Sequence, residues 1–200
     1  MQRSNPGQRW LRHATLEDVP AIEEIYARAR QVMAEAGNPE QWGTKYPFPE
    51  MIEADIRNGN TYLLVDDAAL DSEAAAASTY EPPELEEVHG EHERIIGIFS
   101  FFDGIDPTYV EIDGAWLDDD PYMTIHRMAA SGLGKKAAAD MLSWCMRHHA
   151  NVRVDTGPKN YAMQHILEAN GFTRCGIIGV HDDRDPNMEP IRLAYQRHDR

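Results

Sequence analysis

The segment from Ile125 to Ala138 reads Ile-His-Arg-Met-Ala-Ala-Ser-Gly-Leu-Gly-Lys-Lys-Ala-Ala and concentrates residues able to hold a phosphate group. Small residues let a backbone approach a ligand closely. Where such a turn opens a helix, free N–H groups and the positive end of the helix dipole favour an anion. Lys135 and Lys136 add charge at the same place. The bland alternative is a glycine-rich turn that only joins a strand to a helix. A Walker A loop needs Ser or Thr after its lysine, and Lys136 stands there after Lys135. Gly132-Leu133-Gly134-Lys135-Lys136-Ala137 also matches the Gly-x-Gly-x-x-Ala dinucleotide fingerprint, with Asp155 placed as a ribose-binding acid. A doubly wound domain, however, needs more βα units after its fingerprint than this chain supplies, so a dinucleotide-binding protein is the weaker reading.

The elements that must carry this turn follow from periodicity. Trp10–Ala14 reads as a strand and Thr15-Leu16-Glu17-Asp18 as a capping box. Val19, Ile22, Ile25, Tyr26, Ala29, Val32, Met33 and Ala36 recur at helical spacing until Gly37. A loop with Gln41, Trp42, Tyr46 and Phe48 leads to a second helix near 49–57, and Thr61–Val65 is a strand. Strands are expected at 95–102 and 122–130, and a hairpin or loop between 109 and 120. A helix near 134–149, a strand at 151–155 and a helix opening at Pro158 and ending at Asn170-Gly171 follow. Strands near 174–180 and 191–197 close the chain. Period-two alternation from Tyr122 to Ala130 places Thr124, His126 and Met128 on one face.

Composition bounds the rest. Of 200 residues, 42% are hydrophobic and 26% charged, as in soluble globular domains. No apolar run approaches the roughly 20 residues that cross a bilayer, the first residues lack a secretory stretch, and two cysteines imply no disulfide framework. A cytoplasmic protein that does not bind a membrane is expected. The net charge of −15 argues against nucleic acid as a partner. Residues 66–120 hold 17 of the 34 acids and one base, Arg94, and residues 66–93 read as a solvated acidic insertion in a single domain spanning 10–200. His148 and His149 are neighbours on a helix and face different directions, so no metal site is expected.

The joint order of these pieces resembles the GNAT superfamily of acyltransferases over about residues 10–197. The stretch from Asp155 to Phe172, with Asn160 opening a helix and Gly171-Phe172 closing it, resembles the family's strand, helix start and terminal Gly-Phe. Gln41-Trp42 to Tyr46-Pro47, together with Ile125-His126-Arg127, resembles one GNAT subgroup. The resemblance implies an α/β fold of α+β type, a mixed central sheet with helices on both faces. It implies transfer of an acetyl group from acetyl-CoA to a small-molecule or peptide amine by direct attack. A non-catalytic acyl-CoA-binding module is the alternative. The backbone of Met128 and Ala130 would pair with the pantetheine arm, and Ala129 between them is a further cofactor-binding candidate. The turn through Gly132, Gly134, Lys135, Lys136, Ala137 and Ala138 would hold the pyrophosphate, and Asn160 and Met163 would contact CoA from the next helix. Aligned without gaps, the family's phosphate motif falls on Leu133 to Ala138, so its first basic residue is lost, and Leu167 replaces its tyrosine proton donor. His126, where a family member carries histidine, is the expected base, with Glu111 and Asp113 as rivals. Tyr161 and Tyr122 are substitute proton donors. The acidic middle favours a cationic acceptor, and a homodimer is a further expectation.

Overall fold

The structure, a computed structural model, describes residues 9–67, 83–87, 89–90, 92–182, 184–185 and 187–200. Among the described residues, four helices and nine strands form. β1 (Trp10–His13) is followed by a short 3₁₀ turn, Leu16–Asp18, where the Thr15 N–H donates to Asp18 Oδ2 at 2.7 Å. α1 (Val19–Glu35) and α2 (Pro49–Arg57) precede β2 (Thr61–Asp67). β3 (Glu84–Leu85), β4 (Glu93–Asp103), β5 (Asp113–Gly114) and β6 (Met123–Ala130) come next. α3 (Ala137–His148), β7 (Asn151–Thr156), α4 (Tyr161–Ala169), β8 (Thr173–Gly179) and β9 (Ile191–His198) complete the chain. Most of the expected acidic insertion, residues 68–82, lies outside the described residues.

All nine strands join one mixed sheet in the order β3-β1-β2-β4-β6-β7-β9-β8-β5. β6 and β7 run parallel, joined through α3, whereas β4 pairs antiparallel with β6. One face packs Ile22, Ile25 and Tyr26 of α1 and Ile52 and Ile56 of α2 against Leu63, Val65 and Ile98. The other packs Met141, Leu142 and Cys145 of α3 and Leu167 of α4 against Leu64, Ile96, Phe99, Ile125 and Val154. β1, through Trp10 and Leu11, and β2, through Leu63, Leu64 and Val65, feed both cores by alternation. This is the expected mixed sheet with helices on both faces.

Two departures from regular pairing build the site. The β4–β6 register shifts between Ile98 and Ser100, where Ile98 faces Ala129 and Ser100 faces His126. The extra residue on β6 is a bulge, with Arg127 at φ +54°. It overturns the expected alternation: Met128 packs on the α3 side, while Ala129 joins the α1–α2 core. Second, β6 and β7 pair only from Met123/Val152 to Ile125/Val154. Beyond Ile125 the two strands part, and among the described residues the β6 edge from His126 to Ala130 has no strand partner on that side.

Candidate active site

A cavity of about 660 Å³ opens along that unpartnered edge. β6 lines it with every residue from Ile125 to Ala130, and β7 with Val154, Asp155 and Thr156. α1 contributes Arg28, Ala29, Val32 and Met33, an i, i+1, i+4, i+5 face. Trp42 and Tyr46 line it from the loop before α2, and Phe48 is buried beside Tyr46 with ring centroids 6.1 Å apart. Gly132, Ala138, Asn160 and Met163 also border it.

His126 lies on the cavity wall with a carboxylate at each ring nitrogen. Nε2 is 2.5 Å from Asp106 Oδ2, and Nδ1 is 3.6 Å from Asp155 Oδ1. Asp106 caps the 3₁₀ turn Pro107–Tyr109, accepting from the Thr108 N–H at 2.8 Å and the Thr108 hydroxyl at 2.7 Å. Its own N–H donates to Tyr122 Oη at 3.1 Å. Burial works against the Asp106 carboxylate, but hydrogen bonds from His126 and Thr108 outweigh it and hold the group at about 2. An ionised carboxylate only accepts, so Asp106 assigns the His126 proton to Nε2 and leaves the lone pair on Nδ1. Tyr109 Oη donates to Asp155 Oδ1 at 2.7 Å, and Arg192 Nε lies 3.7 Å from Asp155 Oδ2. Burial, with Asp155 beside it, pushes the Tyr109 hydroxyl well above its ordinary value, so it stays a donor.

The bulge is held from both sides. Tyr26 Oη donates to the Arg127 carbonyl at 3.0 Å, and the Arg127 guanidinium pairs with Asp55 of α2. At the far end of β6 the Ser131 N–H donates to the Ile96 carbonyl at 3.1 Å, and Gly132 turns at φ +81°. Lys136 caps α3 at φ +61°, and the first bond into the helix runs from the Asp140 N–H to the Lys136 carbonyl at 3.1 Å. The helix thus begins three residues later than periodicity predicts, lengthening the glycine turn.

Of the residues singled out by sequence, His126, Met128, Ala129, Ala130, Gly132, Ala138, Asn160 and Met163 border one cavity. Asn160 is also a helix cap: its Oδ1 accepts from the Met163 N–H at 3.2 Å. Gly134, Lys135, Lys136 and Ala137 do not line the cavity. Ala137, the first residue of α3, is buried, and both lysines are exposed on the turn. Glu111 and Asp113 are exposed beyond the turn that brings Tyr109 inward, away from His126. Tyr161 is 71% exposed on the first turn of α4, whose Met163 and Ile166 face the cavity. Tyr122 is buried and supports Asp106, while Leu167 is fully buried in the core. Asp106, Tyr109 and Arg192 were not singled out. Asp106-Pro107-Thr108 carries a turn signal, but nothing local ties it to a histidine 20 residues on. Elsewhere, Asp118, Asp120 and His198 bring three ligand atoms within 4.8 Å of one another, and Asp118 is already engaged by His198 at 2.7 Å and Arg200 at 3.1 Å.

The fold is that of an acyl-CoA N-acyltransferase. It is similar to a GNAT-family acetyltransferase from Streptococcus agalactiae 2603, 26% identical, with 96% of each chain covered and a TM-score of 0.74. It is also similar to a GNAT-family acetyltransferase from Listeria monocytogenes 4b F2365, 15% identical over 95% of this chain and 94% of that one, TM-score 0.60. A phosphinothricin acetyltransferase from Sinorhizobium meliloti, solved in complex with AcCoA, is 14% identical over 95% and 88%, TM-score 0.55. No family model and no curated protein matches the sequence. The chain has the fold of the GNAT superfamily. No helix among the described residues is long and apolar enough to cross a membrane.

Proposed function

We propose that the protein is an acetyl-CoA-dependent N-acetyltransferase in which a primary amine attacks the thioester directly. One observation carries this reading: a single cavity joins the unpartnered β6 edge, the glycine turn and a histidine held by an ionised carboxylate. The residues fit the donor. The open side of β6 around Met128 and Ala130 suits the amides of a pantetheine arm, as an added strand would, whereas Ala129 is paired with Ile98 of β4. The turn from Gly132 to Ala138 suits its phosphates. Bound there, acetyl-CoA supplies an activated acyl carbon and a thiol that leaves as an anion without much help, its pKa being roughly 8.5.

The protein's own part is to deprotonate and place the amine. A lysine-like amine, pKa about 10.4, loses its proton at a cost of roughly 4–5 kcal/mol near pH 7. His126 accepts that proton at Nδ1, directly or through water, because Asp106 holds Nε2 as the donor. The imidazolium so formed lies between two carboxylates, Asp106 and Asp155. Tyr109 keeps Asp155 in place through its 2.7 Å hydrogen bond. Asp106, Asp155 and Asp182 line the cavity together with Arg28, Arg127 and Arg192, and a cationic acceptor is proposed for the part where Asp106 and Asp155 flank His126. A cytoplasmic location, which fits the free Cys145 and Cys175, and a homodimer, to be settled by sedimentation, belong to the same proposal.

A non-catalytic acyl-CoA-binding module is favoured by one observation, the core leucine at position 167 in place of a proton donor. Incubation with acetyl-CoA and a panel of small amines and amino-terminal peptides, following thiol release, separates the two. Amine-dependent release is expected; binding of CoA without release by any amine would favour the module.

A further inference from the structure

Arg28 stands apart among the cations that line the cavity. Arg127 is paired with Asp55. Arg192 donates to the carbonyls of Gln41, at 2.8 Å, and Ile191, at 3.0 Å. Arg28 makes no hydrogen bond or ion pair among the described residues. A surface arginine without a partner is ordinary, but the position of this one is not. It lies on the α1 face that borders the cavity, and its guanidinium rests on Gly132, the residue that turns β6 toward α3. A Cβ built on Gly132 would meet Arg28 Nη2 at 2.9 Å and Nε at 3.0 Å. Glycine is required at position 132 for its φ of +81°, and its bare Cα lets the guanidinium lie against the turn.

Lys135 and Lys136, the cations within the turn, are exposed and do not line the cavity, and the Lys135 carbonyl is taken by Arg9 at 2.6 Å. The cation nearest the cavity side of the turn therefore comes from another element. We propose that Arg28 is a phosphate-binding residue of the acyl-donor site, reaching from α1 to the turn at Gly132. This rests on the acyltransferase reading above. Its planar fork of donors suits phosphate oxygens, and with no carboxylate to release, it engages an anion without breaking an existing pair. Arg28 takes up, from a different part of the chain, the positive charge missing at Leu133.

Calorimetric titration with CoA and with pantetheine, which lacks every phosphate, tests this on wild type, Arg28→Ala and Arg28→Lys. Loss of charged hydrogen bonds should weaken CoA binding on the order of tenfold in Arg28→Ala and less in Arg28→Lys, with pantetheine binding unchanged. The salt dependence of CoA binding should also become shallower. CoA affinity within about twofold of wild type in Arg28→Ala would overturn the assignment, since that is below the value of one charged hydrogen bond. An equal loss for pantetheine would overturn it too, making Arg28 a wall of the cavity. Wild type that binds pantetheine and not CoA contradicts the phosphate site alone, while wild type that binds neither removes the acyltransferase reading as well.

Discussion

His126 can accept a proton at one defined atom because Asp106 occupies the other. The asymmetry lies in the distances, 2.5 Å on the Nε2 side against 3.6 Å on the Nδ1 side. Asp106→Asn keeps the size and loses the charge that enforces the tautomer. It should lower kcat by on the order of tenfold or more with little change in KM for acetyl-CoA, and the ¹⁵N signature of His126 should become a mixture of tautomers. A retained Nε2–H signature would make Asp106 a scaffold residue. The carboxylate also carries a stability signature. Its folded value of about 2 lies below the ordinary 3.8, so its contribution is present above about pH 4 and is lost as pH falls toward 2. Denaturant melts should show wild type and Asp106→Asn converging in that window. His126 was legible in the sequence because it precedes the glycine turn on a strand with helical pattern after it. Asp106 was not, since only the path of the loop after β4 brings it to the ring.

The working part of β6 is the bulge at Arg127. A positive φ there is disfavoured for arginine, and two contacts hold it: the Tyr26 hydroxyl on its carbonyl and Asp55 on its guanidinium. Tyr26→Phe leaves that carbonyl without its donor at 2% exposure of the tyrosine, and should cost about 1 kcal/mol in chemical denaturation. Turnover should fall further than that loss explains, because the bulge sets which β6 residues meet the cavity. Equal turnover in a destabilised Tyr26→Phe would mean the bulge holds without it. Element type was readable wherever periodicity ran long: α1, α2, α4 and the longer strands stand where spacing puts them. β3 and β5, two residues each, leave no periodic trace. The bulge is invisible for another reason. Arg127 has no glycine-like signature, and its conformation is imposed by α1 and α2, so the alternation through Met128 fails.

Across the whole molecule, the two cores are tied at the β1 end by a buried arginine. Arg12, 2% exposed, donates to both Asp18 oxygens, at 2.7 and 2.8 Å, and to Glu93, joining β1 to the start of α1 and to β4. Burial opposes its charge, and the hydrogen bonds to Asp18 and Glu93 more than offset that. Removing one partner strands the others, so Arg12→Met should lose about 3 kcal/mol or more of unfolding free energy, read from urea melts. A loss under about 1 kcal/mol would show that the carboxylates find water instead. The same sheet, by parting β6 from β7, places the glycine turn, the unpartnered edge and His126 on one cavity, and that convergence is the central claim. The measurement that tests it most directly is amine-dependent thiol release from acetyl-CoA by wild type and His126→Gln, with CoA binding followed by calorimetry. His126→Gln should lower turnover on the order of 10²-fold while CoA affinity changes little, and the acidic limb of its pH–rate profile should flatten. Turnover within a few-fold of wild type, with the acidic limb intact, would contradict the account and leave His126 a structural residue.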